Sequence, residues 1–142
     1  MSIADTNAHE SREPRWSPER LDRIVEADDL HVAPYRPDGI TPGTPTRVWC
    51  VQVDGELYAR AYNGTASRWY RAALEQQAGQ ITAAGARIDV AFEPVSAAID
   101  AGVDAAYRAK YPNSPYLGAM IGVRARAATV RVRPRTAADE RG

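Results

Sequence analysis

The sequence predicts an α+β fold built on a mainly antiparallel sheet or small barrel. Short runs of alternating apolar and polar residues are separated by helical patterns of unequal length, not by a regular βα repeat. Two of those runs are joined by Asp54-Gly55 and the second ends at Asn63-Gly64, residue types that tolerate the positive φ of tight hairpin turns. A chain of 142 residues suits one domain with a single core.

Residues 1–15 are polar and aperiodic and are expected to form a flexible tail; residues 16–135 form the domain, and residues 136–142 a second tail. Ser17 is a good N-cap, Pro18 suits the first helical position, and Trp16 and Leu21 are spaced as a hydrophobic staple. With Leu21, Ile24 and Val25 as its apolar stripe, a short helix is expected from Pro18 to Ala27. Leu30 to Tyr35 reads as a brief strand. Arg36 to Thr44, with Pro37, Gly39, Pro42 and Gly43, reads as a loop.

Two strands follow, Thr46–Val53 and Glu56–Tyr62, expected at the centre of the sheet with Val51, Val53 and Leu57 buried. Ser67 to Ala78 is an amphipathic helix, with Tyr70, Ala73, Leu74 and Ala78 on one face and Gly79 as its stop. Arg87–Pro94 is a strand and Asp100–Lys110 a helix with Val103 and Tyr107 inward. Ser114-Pro115 opens a further helix, and Ala127–Arg133 is the last strand.

Formal net charge is zero, which argues against a dedicated duplex nucleic-acid binder. Lys110 is the only lysine, so positive charge is almost all arginine. A GC-rich coding bias explains this; so does bidentate anion recognition, which guanidinium forks perform and ammonium does not. Cys50 is the only cysteine and sits in a strand-like run, as a buried inert thiol would. His9, His31, Cys50 and scattered carboxylates show no metal-site spacing, so no metal is expected. No apolar run approaches the roughly 20 residues of a membrane span, and the expected setting is the cytoplasm without a membrane partner.

Arginines and aromatics cluster in one stretch. Arg47 and Trp49 share a strand face, as do Tyr58, Arg60 and Tyr62 on the partner strand. A solvated face accounts for Arg47 and Arg60 as well as a ligand face does. Rings placed between arginines, however, suit stacking on a planar heterocycle whose anionic group the guanidiniums hold. Arg68 opposes the dipole at the start of its helix, which calls for a bound anion or a salt bridge. Trp69 is placed to line a pocket. His31 is a structural histidine or a general acid–base group. Tyr111 and Tyr116, in a proline-stiffened loop, are candidate phenol donors.

The segments Ala27-Asp28-Asp29-Leu30-His31, Gly43-Thr44-Pro45-Thr46, Arg60-Ala61-Tyr62-Asn63-Gly64, Ser67-Arg68-Trp69-Tyr70 and Ala106 to Tyr111 resemble domain-of-unknown-function family 2255. More distantly, Gly43 to Arg47, Asn63-Gly64, Trp69-Tyr70, Tyr111-Pro112 and Tyr116 are similar to the pattern of deazaflavin-dependent nitroreductases. That resemblance implies a split β-barrel with peripheral helices, a homodimer, and flavin mononucleotide or a deazaflavin in a groove. Thr46 and Arg47 would then take the cofactor phosphate, and the loop tyrosines Tyr111 and Tyr116 would face substrate; Arg60, Tyr62, Asn63, Arg68 and Trp69 are the further cofactor-binding candidates, and His31 is a catalytic candidate. The chain departs from the pattern in its sparse basic residues around Thr46 and its short loop before the helix. Two functions follow: a flavin- or deazaflavin-dependent oxidoreductase, or a cofactor-free binding protein, isomerase or cyclase using the same groove. A ligand-free structural dimer is a weaker third.

Overall fold

The computed structural model describes residues 15–135. Helix α1 (Pro18–Ala27) forms as expected: the Ser17 hydroxyl accepts from the Arg20 N–H at 3.2 Å, and Leu21 and Ile24 are buried. Trp16 and Leu21 join the same core cluster, and the Trp16 indole N–H donates to the Val132 carbonyl at 2.7 Å. The helix ends at Asp28, whose backbone is left-handed at φ 51.

Seven strands follow in one sheet: β1 (His31–Pro34), β2 (Thr46–Arg47), β3 (Cys50–Val53), β4 (Glu56–Arg60), β5 (Ala78–Ala83), β6 (Ala86–Pro94) and β7 (Thr129–Pro134). Their spatial order is β2-β1-β5-β6-β7-β4-β3, every neighbouring pair antiparallel. Helix α2 (Arg68–Gln76) links β4 to β5; α3 (Asp100–Lys110), α4 (Leu117–Met120) and α5 (Val123–Arg126) lie between β6 and β7.

The order has a geometric consequence. β2 and β3 are opposite edges of the sheet, yet only Val48 and Trp49 join them. In a flat sheet, six gaps of roughly 4.8 Å would separate the edges by about 29 Å. The three Cα steps from Arg47 to Cys50 reach at most about 11 Å. The sheet therefore curls into a half-barrel, and the Val48-Trp49 crossover closes its open side.

This corrects the sequence reading of Thr46–Val53 as one central strand. The segment breaks at Val48-Trp49, and β3 is an edge; the central strand is β6. Val51 and Leu57 are buried as expected, whereas Val53 is half-buried. The Asp54-Gly55 turn does have positive φ at both residues, 52 and 79.

Strand β5 was hidden. The helix ends at Gln77, left-handed at φ 56, and its N–H donates to the Ala73 carbonyl at 2.8 Å. Gly79 is not a helix stop but a strand residue paired with Pro34 and Val90. A Cβ there would lie 2.6 Å from the Ala33 oxygen, so only glycine lets β1 and β5 approach.

Two cores result. The main cluster runs from Trp16, Leu21 and Ile24 through Val32, Ile81, Phe92, Val130 and Val132. A second, under α3, joins Val51 and Tyr58 to Val103, Tyr107 and Met120. Cys50, Leu57 and Ala59 face the first cluster and Val51 and Tyr58 the second, so the β3–β4 hairpin is covered on both faces. Buried charge marks the boundary: Arg60 at the end of β4 meets Asp104 of α3.

Candidate functional site

The crossover, the end of β4 and the start of α2 enclose a cleft of about 510 Å³. Its size lies within the range of small-molecule sites, about 300–1,000 Å³. Thr46, Arg47, Tyr62, Asn63, Arg68 and Trp69 line it, with Arg60 at its floor. All seven residues expected to hold a cofactor thus meet in one place. Tyr116 lines it too; Tyr111 and His31 do not.

One wall is aromatic. Tyr116 stands edge-on to Trp49 at 6.2 Å and to Tyr62 at 6.0 Å between ring centroids. Behind Trp49, Tyr111 stacks at 4.2 Å and 15°. Tyr62 and Tyr116 are 42% and 55% exposed, and the Arg124 guanidinium lies over the Tyr62 ring, 5.9 Å from its centroid.

The start of α2 also lines the cleft, through Ser67, Arg68 and Trp69. Ser67 has the extended backbone of an N-cap, φ −62 and ψ 134, but its hydroxyl makes no capping bond. The first-turn N–H groups therefore have no side-chain cap, at the positive end of the helix dipole. Arg68 is exposed at this end, and no carboxylate lies within ion-pair distance of it among the described residues. Among the described residues, the salt bridge that is the alternative explanation for this arginine is not formed. Arg47, also in the lining, donates from Nη2 to the Asp28 carbonyl at 2.8 Å.

Arg60 has a different role from the one expected. Its side chain is fully buried, and Nη1 donates to Asp104 Oδ1 at 2.5 Å and to the Met120 carbonyl at 3.0 Å. Nε donates to Thr129 Oγ1 at 3.0 Å. The guanidinium is spent on the protein and supports the floor, leaving Arg47 and Arg68 as the exposed arginines of the cleft lining. Arg126 also binds Asp104, its Nε at 2.9 Å from Oδ2. Burial pushes the Asp104 carboxyl upward, but the hydrogen bonds and charges of Arg126 and Arg60 outweigh it and hold it below the usual range.

Tyr111 is likewise corrected. Its hydroxyl donates to Asp28 Oδ1 at 2.5 Å, and its ring lies behind Trp49. Burial, and then the bond to Asp28, push its phenol far above the ordinary tyrosine value, making it a poor proton donor to a ligand. His31 pairs with Arg47 in the sheet, and its Nδ1 lies 2.9 Å from the Asp29 carbonyl, outside the cleft lining. Of the three catalytic candidates, only Tyr116 faces the site. Cys50 is buried, and burial pushes its thiol up to about 11, as an inert core thiol requires.

Trp49, Val48, Ser67 and Met120 complete the lining. Trp49 shares alternation with Arg47, a signal that was visible, but a continuous strand would have paired it with β4 and not closed a barrel. Tyr107 holds the crossover from beneath: its hydroxyl donates to the Trp49 carbonyl at 2.7 Å and accepts from the Arg60 N–H at 3.2 Å. A second depression of about 580 Å³ adjoins the first, sharing Thr46, Arg68 and Trp69 and adding Arg36 and Arg71.

The curled antiparallel sheet with helices over it defines the class: an α+β half-barrel with an arginine-aromatic cleft at its closing crossover. Residues 20–132 match the model of DUF2255, described as an uncharacterized protein conserved in bacteria, and the chain belongs to that family. No curated protein matches the chain. Among solved structures, the conserved hypothetical protein Rv2991 from Mycobacterium tuberculosis is similar, with a TM-score of 0.56 at 15% identity over 88% of this chain and 83% of that one. That likeness concerns the fold. Among the described residues no helix is long and apolar enough to cross a membrane.

Proposed function

We propose that the cleft binds a planar heterocycle with an anionic tail, a flavin or deazaflavin, and that the protein is a small-molecule oxidoreductase of split-barrel type. One observation carries this reading: aromatic side chains, an uncapped helix start and two cations, Arg47 and Arg68, line a single cleft. The donor set fits such a group. Trp49, Trp69 and Tyr62 offer ring faces, and the α2 N–H groups, Arg68 and Arg47 offer donors to a phosphate or carboxylate. Bound there, the cofactor supplies hydride chemistry toward a small organic substrate. The chain's own residues bind and orient, and Tyr116, exposed in the cleft lining, is the candidate phenol to donate a hydrogen bond to that substrate. The same reading carries a cytoplasmic homodimer.

A cofactor-free isomerase or cyclase is the second reading. The engagement of Arg60 with Asp104 favours it, because only two cations then remain for an anionic tail. The visible absorption spectrum of the purified protein, followed by titration with flavin mononucleotide and a deazaflavin, separates the two. Saturable binding of either cofactor supports the oxidoreductase; binding of neither at millimolar concentration leaves the cofactor-free protein.

A further inference from the structure

Asp28 lies outside the cleft, yet its contacts reach three of the four residues that carry the chain across it. Its carboxylate Oδ1 accepts from the Tyr111 hydroxyl at 2.5 Å and lies 3.3 Å from Lys110 Nζ. Tyr111 stacks on Trp49 at 4.2 Å. Lys110 Nζ donates to the Cys50 carbonyl at 2.7 Å. The Asp28 carbonyl accepts from Arg47 Nη2 at 2.8 Å. One residue thus touches Arg47 directly, Trp49 through Tyr111, and Cys50 through Lys110.

We infer that Asp28 is a positioning residue for the ligand cleft: it orients the Trp49 ring and the Arg47 guanidinium from behind. The physical case rests on the crossover itself. Val48 and Trp49 belong to no strand, so no ladder on both sides fixes Trp49. Its orientation depends on side-chain contacts, and the stacked Tyr111 is fixed in turn by its bond to a carboxylate, among the stronger kinds of hydrogen bond. Lys110, the sole lysine, completes the clamp with a charge that Asp28 partly neutralises. The left-handed backbone at Asp28, φ 51, turns its carbonyl toward Arg47 while its side chain faces α3. Asparagine and glycine also adopt that conformation.

The affinity part of the inference rests on the flavin reading above; the positioning part does not. The test follows the indole N–H resonances of Trp16, Trp49 and Trp69 by NMR, Trp49 being assigned by its loss in Trp49→Phe. Asp28→Gly keeps the backbone carbonyl and removes the carboxylate. It is expected to shift or broaden the Trp49 resonance, leave that of Trp16 in place, and weaken binding of flavin mononucleotide by roughly fivefold or more, as loss of about one hydrogen bond does. Asp28→Asn, which keeps an acceptor for Tyr111, is expected to fall between. Tyr111→Phe, which keeps the stack but not the tether, should move the Trp49 resonance in the same direction.

Trp49 resonances unchanged in both Asp28→Gly and Tyr111→Phe would overturn the inference. So would a moved Trp49 with unaltered flavin affinity, since the contacts would then be structural alone. If Asp28→Gly does not fold, Tyr111→Phe decides by the same two readings. If the unaltered protein binds no flavin, the flavin reading fails, and the Trp49 resonance alone decides the clamp.

Discussion

Arg60 and Asp104 form a buried ion pair between the last residue of β4 and the middle of α3, with Nη1 and Oδ1 2.5 Å apart and side chains 0% and 3% exposed. The pair couples the sheet to the helix layer at the floor of the cleft. Its remaining hydrogen-bonding groups are used: Thr129 and Met120 accept from Arg60, and Arg126 binds the second oxygen of Asp104. Loss of Asp104 leaves the buried Arg60 with only the longer contact to Asp100, 3.4 Å away, as counter-charge.

Asp104→Ala is accordingly expected to destabilise the fold by about 3–5 kcal/mol, the range for breaking one side of a buried pair. Urea unfolding measures this. A loss below about 1 kcal/mol, the level of an exposed surface bridge, would show that the floor is not built on this contact.

The pH dependence has a definite sign. Asp104 and Glu56 both have folded pKa values below their ordinary ones; burial opposes this, but Arg126 and Arg60, and for Glu56 Arg133, prevail. A depressed carboxylate contributes stability that is present above its unfolded value, about 4, and lost as pH falls through the folded value. Melting temperature should therefore be level from about pH 5.5 to 7.5 and fall below about pH 4. Asp104→Asn should show a shallower acid limb than the unaltered protein; an identical limb would mean that other groups set it.

Gly79→Ala tests strand β5. Its Cβ would sit 2.6 Å from backbone atoms of Ala33 and Pro34, which have no flexible end to move aside. Overpacking of this kind costs about 1–3 kcal/mol. By contrast Gly55→Ala meets no atom within 4 Å, and its effect comes only from φ 79. A Gly79→Ala protein as stable as the original would contradict the β1–β5 register.

Gly79 also shows what the sequence could and could not express. After a helical stripe, a glycine looks like a C-terminal stop, and the real stop, Gln77, adopts a left-handed conformation that glutamine does not advertise. The β5–β6 turn uses Ala84-Gly85, both at positive φ, where alanine carries no turn signal. Asp54-Gly55 was legible because both residue types favour that conformation. Helix α1 was legible from its cap and apolar spacing, and α3 from the spacing of Val103 and Tyr107. The cleft residues were visible as an arginine-aromatic cluster. The roles of Arg60 and Tyr111 were not, because their partners Asp104 and Asp28 lie 44 and 83 residues away.

Arg68→Ala and Arg47→Ala should weaken binding of an anionic ligand by about 1.5–3 kcal/mol, the scale of a hydrogen bond to a charged group. Both residues are exposed, so the melting temperature should change little. Calorimetric titration with flavin mononucleotide, beside thermal melts, checks the pair of expectations. Equal losses of stability with unchanged binding would make both arginines structural.

The proposed function puts a planar anionic ligand in the cleft between Trp49 and the start of α2. It is tested most directly by titrating flavin mononucleotide, and then a deazaflavin, into labelled protein and following the three indole N–H resonances. The Trp49 and Trp69 signals should move together and saturate, while that of Trp16, whose N–H is bonded to the Val132 carbonyl in the main core, stays in place. Tight binding of either compound with the Trp49 and Trp69 signals unmoved would place the site elsewhere and contradict the account.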